Sequence, residues 1–413
     1  MRIPFAPFIV IVLFSLLVDI YIYRVCRQRF KSRFPARLQL WSALTFYILA
    51  AVTLLLPRRE GDNGMLLTVM WGLYAYISIY FSKFVFVLTD LIARIPELFG
   101  RRRARWLSAV GTGGGILVFC MMWWGALVTR FQVDVNEVEL TVPGLPEEFD
   151  GYRILQFSDL HTGTFGTDTT FVAELVDRMN SLDADIVVFT GDIVNRRSDE
   201  LPPFVGTLRR LHAPDGVVAI LGNHDYGDYA DWENQQAKLK DREALRNMIG
   251  SMGWRLLLNE TDTLRKGGST LALIGVENVG DPPFHTYGSL ARAYPTPGDS
   301  VCKILLTHNP AHWVDSISGH PEMNIPLTLS GHTHAMQVKL GGMSPAVFRY
   351  KTWGGLYDDS TSKDRAPAHS LYVNIGAGTV GFPARIGQAL PELTLITLKR
   401  PTISKTINGQ SSR

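Results

Sequence analysis

Charge is what this chain has least of. Of its 413 residues, 19% are Asp, Glu, Lys or Arg, against about 25% in ordinary soluble domains. Cysteine is also scarce, at three. Cys26 and Cys120 fall in the first 130 residues, so Cys302 stands alone in the rest. A disulfide within that later part is excluded, and its stability has to come from a hydrophobic core. Histidine is absent from residues 1–130, and all ten histidines lie beyond them. A hydrophobic content of 46% excludes disordered, collagen-like and low-complexity chains. The length exceeds that of one ordinary domain.

The net charge of +3 is an average over two unlike parts. Residues 1–130 hold 16 Lys/Arg and 5 Asp/Glu, or +11; residues 131–413 hold 25 and 33, or −8. In the first part four stretches are almost free of charge, at about 3–23, 38–57, 63–93 and 106–129. About 20 mostly apolar residues in helix cross a ~30 Å hydrocarbon layer, and lipid demands that backbone groups be satisfied internally. Residues 1–130 are therefore read as a four-helix transmembrane module. The first span is read as retained rather than cleaved: only Arg2 precedes it, and an arginine-rich stretch follows where a small-residue cleavage site is needed.

The loops set the orientation. The first carries Arg24, Arg27, Arg29, Lys31, Arg33 and Arg37, and the third Arg94, Arg101, Arg102, Arg103 and Arg105. In the second, Arg58 and Arg59 are offset by Glu60 and Asp62. Loops rich in Lys and Arg stay in the cytoplasm, so everything after Arg130 is expected outside it, in a multi-pass membrane protein. Asp19 and Lys83 lie inside spans. Such charges are often functional; snorkelling or a mutual ion pair is the reading preferred here.

Beyond a linker at 131–150, residues 151–400 read as an α/β domain with a polar tail at 401–413. Tyr152–Ser158, Asp185–Thr190 and Val217–Leu221 read as strands, with helices over 168–181 and 203–211 between them. Further strands are expected at 271–276, 303–307, 327–330, 371–374 and 393–398, and an extended loop at 341–367. Strands alternating with helices imply right-handed crossovers.

The informative feature is what ends the strands. One runs into Asp159-Leu160-His161, the next into Gly191-Asp192, a third into Gly222-Asn223-His224-Asp225, a fourth into His308, and another into Gly331-His332-Thr333-His334. Ligands collect beyond the carboxyl ends of strands in such sheets. Mixed carboxylate and imidazole donors suit Mn, Fe or Zn, with manganese placed first, rather than calcium or a thiolate zinc site. Seven donors exceed the needs of one small ion. They suffice for two if one carboxylate bridges, and a metal pair ~3.5–4 Å apart activates water and clamps an in-line displacement at phosphorus. A histidine that is not a ligand suits the proton transfer. His212, His285, His312, His320 and His369 fall outside this set and are read as surface or loop residues, with His285 and His369 as weaker substrate-loop candidates.

Together these segments resemble the signature of the calcineurin-like metallophosphoesterases over about residues 150–400. Ser158-Asp159-Leu160-His161, Gly222-Asn223-His224-Asp225-Tyr226-Gly227 and Asn374-Ile375-Gly376-Ala377-Gly378-Thr379 resemble those of the bacterial YkuE/YaeI-type membrane-associated members. The resemblance implies a four-layer α/β/β/α sandwich. It implies one metal on Asp159, His161, Asp192 and His334, a second on Asp192, Asn223, His308 and His332, and Asp192 as the bridge. His224 becomes the proton donor, oriented by Asp225. Ala335-Met336 stands where that subgroup commonly has glycine.

The expected activity is metal-dependent hydrolysis of a phosphoester or pyrophosphate, on a lipid-linked or envelope substrate outside the cytoplasm. A nucleotide-lipid pyrophosphatase at the cytoplasmic face, similar to UDP-diacylglucosamine hydrolases, and a non-enzymatic membrane scaffold with a structural metal site are the alternatives. No nucleic-acid partner is expected, because the domain carries −8 and its only arginine pairs, Arg196-Arg197 and Arg209-Arg210, are short. Phe348, Tyr350, Trp353 and Tyr357 are read as capping the site or packing on the core, with dipping into the bilayer interface as the alternative.

Overall fold

The computed structural model describes residues 5–56, 62–282, 285–294, 300–320, 322–360 and 369–401, with side chains from residue 10 onward. Pro57–Glu60, part of the 341–367 loop and nearly all of the tail, about which expectations were stated, lie outside these residues.

Four helices form the N-terminal module: α1 (Phe5–Arg29), α2 (Phe34–Leu55), α3 (Asn63–Arg94) and α4 (Arg105–Leu127). Among the described residues, α2, α3 and α4 are long and apolar enough to cross a membrane by length and composition. Helix α1, the first expected span, carries Asp19 and the arginines of its last turns. The α3–α4 crossing is close because Gly111 faces Thr89: a Cβ there would lie 1.8 Å from the Thr89 hydroxyl, the small-residue contact typical of membrane helices. The intramembrane charges pair. Asp19 accepts from Lys83 Nζ at 2.8 Å, Gln39 Nε2 at 2.7 Å, Tyr47 Oη at 2.8 Å and Tyr80 Oη at 2.7 Å. Four donors satisfy one carboxylate, as a low-dielectric setting requires.

Among the described residues, the rest of the chain forms two packed six-stranded sheets and a small two-stranded one. Its elements are β1 (Asp134–Thr141), β2 (Arg153–Phe157), α5 (Thr170–Asn180), β3 (Ile186–Phe189), α6 (Pro202–Leu208), β4 (Val217–Ala219), α7 (Gln235–Ser251), β5 (Arg255–Leu256), β6 (Glu260–Lys266), β7 (Ser269–Gly275), α8 (Leu290–Ala293), β8 (Cys302–Leu306), α9 (Ala311–Ser316), β9 (Leu327–Ser330), β10 (Val338–Lys339), β11 (Gly355–Asp358), β12 (Ser370–Val373), β13 (Ile386–Gly387) and β14 (Glu392–Lys399). The first sheet runs β1-β14-β2-β3-β4-β5 and the second β11-β12-β9-β8-β7-β6. Strands β2 to β5 are parallel, as are β12, β9, β8 and β7; β6 and β11 close the second sheet antiparallel.

Side-chain alternation sorts the strands into layers. Ile154, Ile186, Val188 and Val218 face Leu271, Leu273, Ile304, Leu306, Leu327 and Leu329 between the sheets. Their neighbours Leu155, Phe157, Val187 and Phe189 point outward and bury α5, α6 and α7. On the other side Ile274, Leu305 and Val373 bury Trp313 of α9 and Ala293 of α8. The result is the α/β/β/α sandwich.

Two expectations need correction. Residues 131–150 are not merely a linker: β1 lies there and pairs in parallel with β14. Its alternating Asp-Val-Asn-Glu-Val-Glu-Leu-Thr pattern is that of a half-exposed edge strand. The 341–367 loop contains β11, whose Gly355–Asp358 pairs antiparallel with β12.

The sandwich docks on the end of the module formed by the start of α3 and the end of α4. There Gly125 O accepts from Arg385 N at 3.1 Å, Ala384 packs with Tyr74, Met122 and Ala126, and Asp62 O accepts from Arg196 Nη2 at 3.3 Å. This end is opposite the arginine-bearing first and third loops. Helix α3 has 32 residues, or about 48 Å, which exceeds a ~30 Å hydrocarbon layer. Its first turns stand beside the sandwich, where Leu67 meets Gly166.

Candidate metal centre

The seven expected ligands converge beyond the ends of β2, β3 and β4 in one sheet and β8 and β9 in the other. Gln156 ties the sheets together beneath them, donating to Ser330 O at 2.8 Å and to the Thr190 hydroxyl at 3.2 Å. Gly331 allows a close approach: a Cβ there would sit 2.0 Å from Ser158 Oγ and 2.4 Å from Asp159 Oδ2. The backbone is forced elsewhere. Asp159, His161, Asp192, His332 and His334 all have positive φ, at 52°, 48°, 63°, 77° and 52°. Each such non-glycine residue costs of order 1 kcal/mol or more, so five of the seven ligand positions are held in conformations that local preference opposes.

The ligand atoms form two groups, Asp159–His161–His334 and Asp192–His308–His332, each able to hold a metal ion. In the first, His334 Nε2 is 3.1 Å from Asp159 Oδ1 and 3.1 Å from His161 Nε2. In the second, His308 Nε2 is 3.1 Å from Asp192 Oδ2, 3.0 Å from Asn223 Oδ1 and 3.2 Å from His332 Nδ1. Asp192 Oδ2 also lies 3.6 Å from His161 Nε2, so this one oxygen faces both groups, as a bridging ligand must.

The donor chemistry fits cations. His161 Nδ1 faces Val194 O at 3.2 Å and His308 Nδ1 faces Thr190 O at 2.8 Å. Those nitrogens must carry the protons when the rings are neutral, which assigns the tautomer and leaves both Nε2 atoms as lone pairs. Lone pairs, carboxylate oxygens and an amide oxygen then face one another, and Asp159 Oδ1 is buried without a hydrogen-bond donor. A divalent cation in each group resolves this. The rings are oriented from outside: Tyr350 Oη is 3.4 Å from His332 Nε2, and Asn223 Nδ2 donates to Tyr229 Oη at 2.8 Å, which turns Asn223 Oδ1 inward.

The electrostatics agree. Burial pushes the His161 and His224 imidazoles below their usual range, and burial with the neighbouring His308 brings His332 to about 3. Neutral imidazole is the form that binds metal. Burial opposes ionisation of Asp159 and Asp192, but His334 and His308 respectively hold both carboxyls below the usual carboxylate range. Burial likewise disfavours protonated His308, yet Asp192 raises it to about 9. A cation between Asp192 and His308 would displace that proton.

His224 is in place, but Asp225 does not orient it. The Asp225 carboxylate accepts from the backbone N–H groups of Asp192 (2.8 Å), Ile193 (2.9 Å), Val194 (3.2 Å) and Gly222 (2.9 Å). It fixes the Asp192 loop. The His224 ring is held by Asn195 O, 2.6 Å from Nδ1, and stacks on Tyr229 with centroids 4.1 Å apart. A backbone carbonyl gives no residue-type signal, so the sequence could not name Asn195. The same holds for Arg385, which is fully buried. Arg385 donates to Gly378 O, Ala389 O, Leu390 O, Ile375 O and Gly376 O. It thereby anchors the 376–378 segment, whose Gly378 N–H donates to Asp159 O at 2.8 Å.

Of the remaining histidines, His212, His285 and His320 are exposed, as expected. His312 and His369 are buried instead. His312 contacts the Thr307 hydroxyl, and burial lowers it to about 4. His369 lies between Asp359 Oδ2 at 2.6 Å and Met323 O at 2.9 Å. It is a packing residue, not one of a substrate loop. Trp353 and Tyr357 are half-buried and joined by a hydrogen bond, Tyr350 reaches the site, and Phe348 is 93% exposed.

Residues 152–336 match the family model described as calcineurin-like phosphoesterase, and residues 1–130 match the one described as probable calcineurin-like phosphoesterase, transmembrane domain. The Bacillus subtilis metallophosphoesterase YkuE is 29% identical over 272 residues, covering 65% of this chain and 86% of YkuE. The Campylobacter jejuni metallophosphoesterase Cj0846 is 23% identical over 401 residues, covering 95% of this chain and 97% of that protein. The Chlamydia trachomatis UDP-2,3-diacylglucosamine pyrophosphatase LpxG is 29% identical over 279 residues, covering 57% of this chain and 81% of LpxG.

Removing the shared oxygen should disturb both metal groups. Asp192→Ala is expected to lower bound metal from two ions per chain to one or none, measured by plasma mass spectrometry on full-length protein. Two ions retained would show that Asp192 is not the bridge.

Proposed function

Because the chain belongs to the calcineurin-like phosphoesterases and carries that family's transmembrane domain, we propose that it hydrolyses a phosphoester or pyrophosphate bond of a lipid-linked or envelope substrate, with its catalytic domain outside the cytoplasm. The observation that carries this reading is the convergence of seven ligands on one rim of a sandwich seated directly on membrane helices. Two divalent cations, Mn, Fe or Zn, would supply neutralising charge for phosphoryl oxygens and lower the pKa of a bound water. Asp159, His161, Asp192 and His334 would hold one, and Asp192, Asn223, His308 and His332 the other.

His224 supplies the proton to the leaving oxygen. Its Nδ1–H is committed to Asn195 O, which leaves Nε2 to take up and deliver that proton. Burial keeps the ring neutral at rest, and an arriving phosphate anion raises its proton affinity. Tyr229 stacked on one face restricts the ring. Asp225 acts through the backbone of the Asp192 loop.

The likeness to LpxG supports pyrophosphate among the candidate bonds. Nucleic acid is disfavoured: the soluble part carries −8, and Arg196 is buried against Glu200 rather than forming part of a basic stripe. The outer location is supported by arginine-rich loops at the far end of the module from the sandwich.

Full-length protein loaded with Mn²⁺ is expected to hydrolyse bis(p-nitrophenyl) phosphate, and His224→Ala to lower kcat about 10²–10⁴-fold with its metal retained. Metal retention with no turnover on Mn²⁺, Fe²⁺ or Zn²⁺ in the unmutated protein would favour a scaffold. Alkaline phosphatase fused after Arg130 decides the side. An active fusion is expected, and an inactive one would move the chemistry to the cytoplasmic face and favour the nucleotide-lipid reading.

A further inference from the structure

Between the module and the sandwich lies an apolar groove of about 370 Å³, within the size range of small-ligand sites. Ile77 and Phe81 of α3 and Met122 of α4 form one wall; Met336, Leu340 and Phe382 form the other. Its few polar groups are spent. Gln337 donates to Phe382 O at 3.1 Å and accepts from Val380 N at 2.7 Å, and Tyr74 Oη donates to Met122 O at 2.5 Å. Nothing in the groove is left to recognise a headgroup.

Its depth follows from α3. Tyr74 to Arg94 covers about 30 Å of helix rise, so with Arg94 set at one boundary of the hydrocarbon Tyr74 stands at the other. Phe81, seven residues below Tyr74, is then about 10 Å inside. Phe81, Met336, Leu340 and Phe382 are all exposed, so the groove opens toward lipid. The groove and the metal centre share one stretch of chain, since Met336 of the groove wall follows the ligand His334 by two residues.

The backbone there is costly. His334, Ala335, Met336 and Gln337 are consecutive left-handed residues, with φ of 52°, 50°, 48° and 58°. Glycine would adopt this turn without penalty, yet none is present. Ser344 Oγ clamps the turn by donating to Ala335 O at 2.6 Å. The strain places a methionine side chain in the groove beside a metal ligand, and stored strain of this kind marks functional positions.

We propose that this groove holds one acyl chain of a membrane-resident phosphate ester while its phosphate sits at the metal centre. The proposal rests on the lipid-substrate reading above and adds to it the route: the chain stays in hydrocarbon between α3, α4 and the 336–340 segment, and only the headgroup leaves the bilayer. A flexible methionine and flanking aliphatic groups suit a disordered hydrocarbon occupant.

Methyl and dodecyl p-nitrophenyl phosphate diesters test it, using full-length protein with Mn²⁺ in lipid nanodiscs. The readout is the ratio of kcat/KM for dodecyl over methyl ester. Partitioning into the bilayer raises that ratio equally for every variant, so the variants isolate the groove. Met336→Gly suits the left-handed backbone and removes only the side chain; Leu340→Asp places a charge in the opening. Each is expected to lower the ratio at least tenfold. A ratio unchanged in either variant overturns the proposal. A chain-independent ratio in the unmutated protein also overturns it, while leaving the phosphohydrolase reading intact. No hydrolysis of either ester overturns that reading, and the groove's assignment falls with it.

Discussion

Seven ligand side chains converge on one rim with too few protons to pair their lone pairs and carboxylates, and this is the constraint on which the structure turns. The lone pairs of His161, His308 and their neighbours, the carboxylates of Asp159 and Asp192 and the amide oxygen of Asn223 lie within hydrogen-bonding distances of each other. Left alone, such a cluster is repulsive and desolvated. The fold nonetheless assembles it on left-handed backbone at five positions. Two six-stranded sheets, the Gln156 tie between them, the Asp225 clamp on the Asp192 loop and the Arg385 anchor behind Asp159 all serve to hold it. Cations convert that arrangement from a cost into a binding site.

The membrane module does more than tether the sandwich. Helix α3 outruns the bilayer and continues along the sandwich, while α4 ends against the Ala384–Ile386 segment. Arg385, whose side chain anchors the loop next to Asp159, donates its backbone N–H to Gly125 of α4. One residue thus links the membrane helix to the metal site. Such direct contact fixes the distance of the rim from the lipid surface, which a flexible tether would not.

The strand-end segments made the site legible in the sequence because chemistry-bearing residues follow directly on apolar runs, and a strand's end fixes where the next side chain goes. All seven expected ligands come together. The longer unanticipated elements are weakly apolar in sequence: β6, with Leu264 its only buried side chain, and α7, with only Leu245 and Ile249 buried. Strand β1 was hidden by charged residues on its solvent face. The supporting contacts escaped for a different reason. Asn195 acts through a carbonyl, Arg385 through contacts with carbonyls that are distant along the chain, and Asp225 through amides rather than the ring beside it. Residue type does not encode which backbone group a side chain will meet.

If this site hydrolyses a phosphate ester held in the membrane by its own chain, as proposed, its loss has a chemical signature in cells. The measurement is a profile of the lipid extract and the aqueous extract of cells in which His224→Ala replaces the native protein. Accumulation is expected, in the lipid extract, of a phosphate- or pyrophosphate-bearing species with an acyl or other long apolar chain. Accumulation confined to water-soluble phosphate esters, with the lipid extract unchanged, would contradict it.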